Sequence, residues 1–226
     1  MVAIRKDLKG PEEVEWLKIT HSKALGSGEF GTVFPGKIKF IGGKSFKVAI
    51  KVFHGPLSDS HAHKYQTTID DLRKADVPMV RMGMYKLKDR WVQVFDKYSR
   101  GNKSVITPVF QSLPSVPLIK QYLIACARIV NAGKPPIGDA LSELPPRISP
   151  RIKVRDIDSL TPMATGRMDE FELAHHAYLA FPVFQSSDNL SQSQMNDFVN
   201  FYLGQIKSDL IRSEVKKRLE RKGFTF

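Results

Sequence analysis

The sequence contains a single cysteine, Cys126, and no long apolar run. One cysteine excludes an intramolecular disulfide, and a reducing, intracellular setting is the simplest interpretation. No apolar segment approaches the roughly 20 residues that a membrane-spanning helix needs. Residues 1–10 lack the apolar core and cleavage site of a secretory signal. We therefore expect a cytoplasmic protein with no membrane anchor, in which Cys126 is buried within an apolar helix.

Acidic residues are few relative to basic ones, because 23 Asp and Glu stand against 35 Lys and Arg and give a net charge of +12. Such an excess favours anionic partners, of which nucleotide, nucleic acid and acidic protein are the main classes. Hydrophobic residues make up 42% of the 226 residues, so wholesale disorder is excluded. A chain of this length suits one large domain or two small lobes.

The first part of the chain has the pattern of a sheet with one helix. Short runs rich in Val, Ile, Phe and Lys, separated by glycine-bearing turns, predict five strands at 17–25, 31–41, 46–53, 79–86 and 90–95. A helix is predicted at 63–75, where apolar residues recur at helical spacing until Val77 and Pro78 end the run.

The second part of the chain favours helices. Helical periodicity predicts helices at 118–132, 168–180 and 194–222, and prolines between 135 and 150 predict loops flanking short strands. The fold class is therefore α+β, with strands first and helices second. We divide it at residue 97, with a strand-rich domain at 1–97 and a helical domain at 98–226.

Residues 26–33, Gly-Ser-Gly-Glu-Phe-Gly-Thr-Val, form the most informative segment. Three glycines at this spacing allow two strands and their turn to approach a phosphate chain without obstruction by Cβ atoms. A dinucleotide-binding loop would need a helix directly after the glycines. The apolar Phe30 and the strand-like run that follows favour a nucleotide-binding hairpin instead.

Residues 48–51 read Val-Ala-Ile-Lys, with the lysine twenty residues after Gly31. Together with the glycine-rich segment, they resemble the eukaryotic-type protein kinase superfamily, of which this chain looks like a small, atypical member. The resemblance implies that Lys51 places its ammonium against the α- and β-phosphates of ATP. Strand 91–95 looks like the strand that leads into the kinase hinge. The implied ATP contacts are Gly26, Ser27, Gly28, Phe30, Gly31, Val33, Ala49, Lys51, Phe95, Asp96 and Tyr98.

In the kinase family a glutamate on the next helix holds this lysine. The predicted helix here offers Asp70 and Asp71 instead, which carry the same charge on a shorter side chain. The spacing from Lys51 makes Asp70 the lysine partner that the resemblance implies, and a solvated helix face is the alternative.

The resemblance also implies carboxylates that act on the acceptor and on Mg²⁺. Segment 137–141, Ile-Gly-Asp-Ala-Leu, is similar to the catalytic loop, which makes Asp139 the catalytic aspartate. Seventeen residues later, Asp156 matches the aspartate that binds Mg²⁺, and Asp158 could reach a second metal. Taken alone, each aspartate would be a turn or cap residue.

One position departs from the kinase pattern, because Leu144 stands where the family has a metal-binding asparagine. Either Glu143 replaces it as a ligand, or only one metal is well held, or catalysis has decayed.

The resemblance thus implies a bilobal fold, with a five-stranded antiparallel N-lobe sheet and one helix above a reduced, mainly helical C-lobe. The implied activity is transfer of the γ-phosphate of ATP, with Mg²⁺, to a hydroxyl of a protein serine or threonine. The alternatives are a nucleotide-binding pseudokinase or adaptor, and an atypical kinase that acts on a small molecule or nucleic acid. The basic C-terminal helix is either a solvated face or a contact for an acidic protein or nucleic acid.

Overall fold

The computed structural model describes residues 14–96, 103–104, 116–136, 140–143, 152–154, 157–158, 160–161, 168–180 and 190–224. Strands and helices are both present, so the predicted α+β class is confirmed. The chain divides into two compact units, of which the first contains residues 1–69 and 80–100 and the second residues 70–79 and 101–226. Among the described residues, no helix combines the length and apolarity that crossing a membrane requires.

The first unit is built on an antiparallel sheet with the strand order β1-β3-β4-β6-β5. Its five main strands are β1 (Val14–Ile19), β3 (Gly31–Phe40), β4 (Ser45–Phe53), β5 (Met82–Leu87) and β6 (Arg90–Asp96), and the short β2 (Gly26–Ser27) pairs with β3. All five predicted strands are present. The first is shorter than predicted, since it ends at Ile19 and leaves Leu25 half exposed.

One face of this sheet forms an apolar core. Side chains alternate between the faces of a strand, so Val48 and Ile50 of β4 lie on one face and Ala49 and Lys51 on the other. The core consists of Ile38, Val48, Ile50, Tyr85, Val92 and Val94, with half-buried apolar residues packed around it. Because the outer strands β1 and β5 also contact each other, the sheet is curled around this core.

Helix α1 (Asp59–Lys74) covers part of the opposite sheet face. Tyr65 stacks edge to face on Phe53 of β4, with ring centroids 5.4 Å apart. Gln66 accepts a 3.0 Å hydrogen bond from the backbone N–H of Met84 in β5. The first half of α1 is thereby fixed against the same face that carries Lys51.

The second unit contains a small antiparallel sheet of β7 (Lys103–Ser104), β8 (Leu141–Glu143) and β9 (Ile152–Val154). The backbone N–H of Val154 donates to the carbonyl of Pro78 at 2.8 Å, and Met79 makes a parallel bridge to Val154. The segment that follows α1 is therefore held against β9. Two short strands are present in and beside the proline-rich segment, as β8 and β9, and the loops predicted there lie largely outside the described residues.

Four helices complete the second unit within the described residues: α2 (Val116–Asn131), α3 (Glu170–Leu179), α4 (Gln192–Gln205) and α5 (Asp209–Glu220). Side chains at the N-cap positions of α3, α4 and α5 accept hydrogen bonds from the first turns, which satisfies backbone N–H groups that have no partner within the helix. Cys126 is fully buried in α2, as predicted, and burial raises its pKa to about 12.

The predicted helix 194–222 is wrong in one respect, because it is two helices with a break at Ile206. Ser208 caps α5 by accepting from the N–H of Ile211. Asn131 of α2 donates to the carbonyl of Gln205 and accepts from the N–H of Lys207, both at 2.9 Å. These contacts satisfy backbone groups that a continuous helix would have paired internally.

Candidate functional site

The glycine-rich segment forms a tight hairpin in the first unit. Gly26 pairs with Val33 and Ser27 with Thr32, and the N–H of Gly28 donates to the carbonyl of Gly31 at 3.0 Å. A strand follows the glycines, as predicted, and not a helix. At the tip, 48% of the Phe30 surface is exposed. The hairpin therefore presents its backbone and one apolar ring to solvent.

His54 ties this hairpin to the end of β4. Its Nδ1 lies 3.0 Å from the carbonyl oxygen of Glu29, and because a carbonyl only accepts, Nδ1 must carry the proton. Its Nε2 lies 3.3 Å from the Thr32 hydroxyl, which is 2.9 Å from the hydroxyl of Ser27. The backbone N–H of His54 also donates to the carbonyl of Phe30. This role of His54 could not be found from the sequence alone, since the register that brings the end of β4 to the hairpin is not visible there.

We expect that His54→Ala loosens the hairpin without unfolding the sheet. Loss of two exposed side-chain hydrogen bonds corresponds to about 1 kcal/mol of local opening free energy, or roughly fivefold faster amide exchange. Hydrogen exchange at the Gly28 amide measures this effect. The matched control is His21→Ala, which removes an exposed histidine of the same unit. Equal exchange at Gly28 in the two variants would show that the hairpin does not depend on His54.

Lys51 is buried in the sheet face opposite the apolar core, with only 7% of its surface exposed. Its Cα is in register with Val33 of the hairpin strand and with Gln93 of β6. The ammonium nitrogen lies 5.8 Å from the centre of the Phe53 ring, and the buried Gln93 amide contacts the sulfur of Met82 at 3.2 Å. A buried lysine is uncommon and requires polar or anionic neighbours.

The next row along this face contains the residues predicted to surround adenine. Ala49 is buried and lies in register between Pro35 and Phe95, which are also buried. Asp96 ends β6, but its backbone N–H donates to the carbonyl of Arg81, and its carboxylate pairs with the Arg81 guanidinium at 2.8 Å. The backbone N–H of Asp96, one of the groups predicted to contact adenine, therefore already donates a hydrogen bond within the sheet. Tyr98 lies outside the described residues.

Asp70 and Asp71, near the end of helix α1, have ion-pair partners within the second unit. Asp70 pairs with Arg73 at 3.2 Å and Asp71 with Lys134 at 3.3 Å. The role of Asp70 as the lysine partner stays a prediction.

The residues predicted for catalysis and metal binding belong to the second unit. Asp139 and Asp156 lie outside the described residues. Glu143 ends β8, and its backbone is in register with Lys103 and Ile152. Asp158 is half buried in a turn, where its carbonyl accepts from the N–H of Thr161 at 3.3 Å. In the part of the chain that is described, no three His, Cys, Asp or Glu side chains lie close enough together to hold a metal ion.

Neither a scan against protein-family models nor a search of curated proteins gives a match to this chain. The features of this chain that bear on its function are therefore the hairpin, the buried Lys51 and the register between them.

Proposed function

We propose that this protein is an ATP- and Mg²⁺-dependent phosphotransferase of protein kinase-like, bilobal fold, which transfers the γ-phosphoryl group to a hydroxyl of a protein serine or threonine. The observation that carries the proposal is the position of Lys51. This buried lysine lies one strand from a glycine-rich hairpin, with its Cα in register with Val33, on a face that α1 partly covers. Glycine hairpin, strand lysine and following helix are the parts that a kinase uses to hold the phosphates of ATP.

The hairpin fits a triphosphate in a second respect. An alanine Cβ built at Gly26 or Gly28 would meet no atom within 4 Å, so the space beside these residues is open. Backbone N–H groups near these positions could approach phosphate oxygens, and Phe30 at the tip would shield them from water. Val33, Ala49 and Phe95 would provide an apolar surface for the adenine ring.

In this proposal the second unit is the reduced, mainly helical lobe. Asp139 would accept the proton of the acceptor hydroxyl as its oxygen attacks the γ-phosphorus and the bond to the bridging oxygen of ADP breaks. Asp156, with Glu143 and Asp158, would supply the carboxylate oxygens that Mg²⁺ prefers, and these residues would thereby hold a charge that offsets the phosphates. Carboxylates are suitable donors for this ion, so the chemistry of the set fits the proposal.

Two measurements on the purified full chain test the proposal. Saturating Mg-ATP is expected to raise the thermal unfolding midpoint by several degrees, because a ligand that binds only the folded state stabilises it. Radiolabelled ATP is expected to label the protein itself or a generic protein substrate. No shift with Mg-ATP would contradict nucleotide binding, and a shift without any label would contradict catalysis alone.

A nucleotide-binding pseudokinase or adaptor is the second candidate, and Leu144 together with Ile137 in the catalytic-loop position favours it. The variant Asp156→Ala separates the two functions. Label that disappears in this variant supports the kinase, whereas an adaptor incorporates no label in either form. The Mg-ATP thermal shift of the variant shows independently whether the nucleotide site is intact.

A further inference from the structure

Three lysines form a straight row across the sheet of the first unit. Lys18 of β1 is in register with Lys37 of β3, and Lys37 is in register with Lys47 of β4. Lys47 shares its sheet face with Ala49 and Lys51, because residues two apart on a strand point the same way. The three side chains therefore lie on one face, beyond the row of Ala49, and they are exposed or half exposed.

This arrangement is unfavourable for the isolated protein. Like charges directly opposite each other on neighbouring strands destabilise a sheet, and Lys37 has one such neighbour on each side. Among the described residues, Lys37 and Lys47 make no ion pair, and the Lys18 ammonium lies over the Trp16 ring at 4.8 Å. The row is a concentration of positive charge that the described part of the protein does not neutralise.

The basic C-terminal helix differs in this respect. In α5, Lys217 pairs with Glu214 at 2.8 Å and Lys216 with Glu220 at 3.9 Å. The basic residues around Glu214 also lower the pKa of its carboxyl group, first through the hydrogen bond from Lys217. Because α5 carries its own counter-charges, it is the less suitable of the two surfaces for a polyanion.

We propose that the face formed by Lys18, Lys37 and Lys47, here called the lysine row, binds single-stranded nucleic acid. Lysine ammoniums act as point charges for phosphates, and a line of three matches a flexible backbone with one charge per nucleotide. The half-buried Trp16 lies beside the row on the same face, as aromatic rings do in surfaces that bind single strands. The net charge of +12 favours the same partner. This proposal does not depend on ATP binding.

Fluorescence anisotropy with a labelled, mixed-sequence single-stranded 20-nucleotide DNA tests the lysine row. Three phosphate contacts predict that log K falls with log salt concentration with a slope of about −2. The triple variant Lys18→Gln, Lys37→Gln, Lys47→Gln is expected to bind at least about tenfold more weakly at 50 mM salt and to lose most of this slope. The single variant Lys37→Gln is expected to bind about threefold more weakly, and it decides the question if the triple variant does not fold.

The matched control is Lys216→Gln, Lys217→Gln, Lys222→Gln, which removes three charges from the region of α5. It is expected to change the affinity less than threefold. Equal losses of DNA affinity in the two triple variants would show that only net charge determines binding, and would overturn the proposal. An affinity that is the same in the wild type and in the lysine-row variants would also overturn it. Polyglutamate of equal charge that competes as well as the DNA would assign the surface to an acidic protein and overturn the choice of nucleic acid.

Discussion

Replacing Lys51 with methionine is expected to remove about half or more of the stabilisation of this protein by Mg-ATP while the sheet stays folded. Methionine has a similar length and packs readily against an aromatic ring such as Phe53, but it has no charge. A hydrogen bond from a charged group contributes about 1.5–3 kcal/mol, so the affinity for Mg-ATP is expected to fall about 10- to 100-fold. Phosphotransfer is expected to fall by at least the same factor.

Thermal unfolding with and without Mg-ATP measures this effect. At a ligand concentration of 100 times the dissociation constant, the wild type gains about 2.7 kcal/mol, which raises the midpoint by roughly 5–10 °C for a chain of this size. The matched control is Lys44→Met in the exposed turn between β3 and β4, which is expected to retain the full gain. If Lys51→Met and Lys44→Met respond to Mg-ATP equally, Lys51 does not contact the nucleotide, whatever its burial.

Local patterns in the sequence predicted the architecture of the first unit. The strand predicted at 46–53 is present as β4, whose alternation of Val48 and Ile50 on one face with Lys51 on the other depends only on the geometry of a single strand. Helical periodicity likewise identified α1, whose Tyr65 and Ile69 are buried. Elements of this kind could be predicted because the residues that determine them are close together in the chain.

Features that depend on contacts between distant segments could not be predicted in this way. The break between α4 and α5 depends on Asn131, which lies more than seventy residues earlier in the chain. Its side chain forms hydrogen bonds with the backbone groups at the junction that have no partner within a helix. The lysine row depends on the pairing of three strands, and a register shift of one residue would move each lysine to the other face. The contacts of His54 with the hairpin likewise depend on how distant strands pair, so they could not be predicted from local patterns.

The three glycines of the hairpin differ in what surrounds them. Substitutions at these positions can therefore test folding stability and nucleotide binding separately. A Cβ atom at Gly31 would lie 2.6 Å from the carbonyl oxygen of Val52 and 3.1 Å from the Cα of Phe53, both backbone atoms of the paired strand β4. A Cβ atom at Gly26 or Gly28 would meet nothing within 4 Å. Gly31 is therefore required by the close approach of two strands, whereas the other two glycines are not required for folding.

We expect opposite results from two alanine substitutions. Gly31→Ala forces β3 and β4 apart and is expected to reduce the free energy of unfolding by about 1–3 kcal/mol. Gly28→Ala is expected to leave stability unchanged or to raise it by up to about 1 kcal/mol, because alanine restricts the unfolded chain. If the hairpin holds phosphates, the added methyl group at residue 28 obstructs them, and Mg-ATP affinity is expected to fall about tenfold in a fully folded protein.

Urea unfolding gives the stability of each variant, and the Mg-ATP thermal shift gives its affinity. Gly55→Ala is the matched control for Gly28→Ala, since a Cβ atom at Gly55 would also meet nothing within 4 Å and Gly55 lies outside the hairpin. A Gly31→Ala protein as stable as the wild type would contradict the close strand contact. A Gly28→Ala protein that binds Mg-ATP normally would show that phosphates do not need a glycine at this position. The assignment of the hairpin as the phosphate-binding element would then be wrong, even with the sheet folded as described.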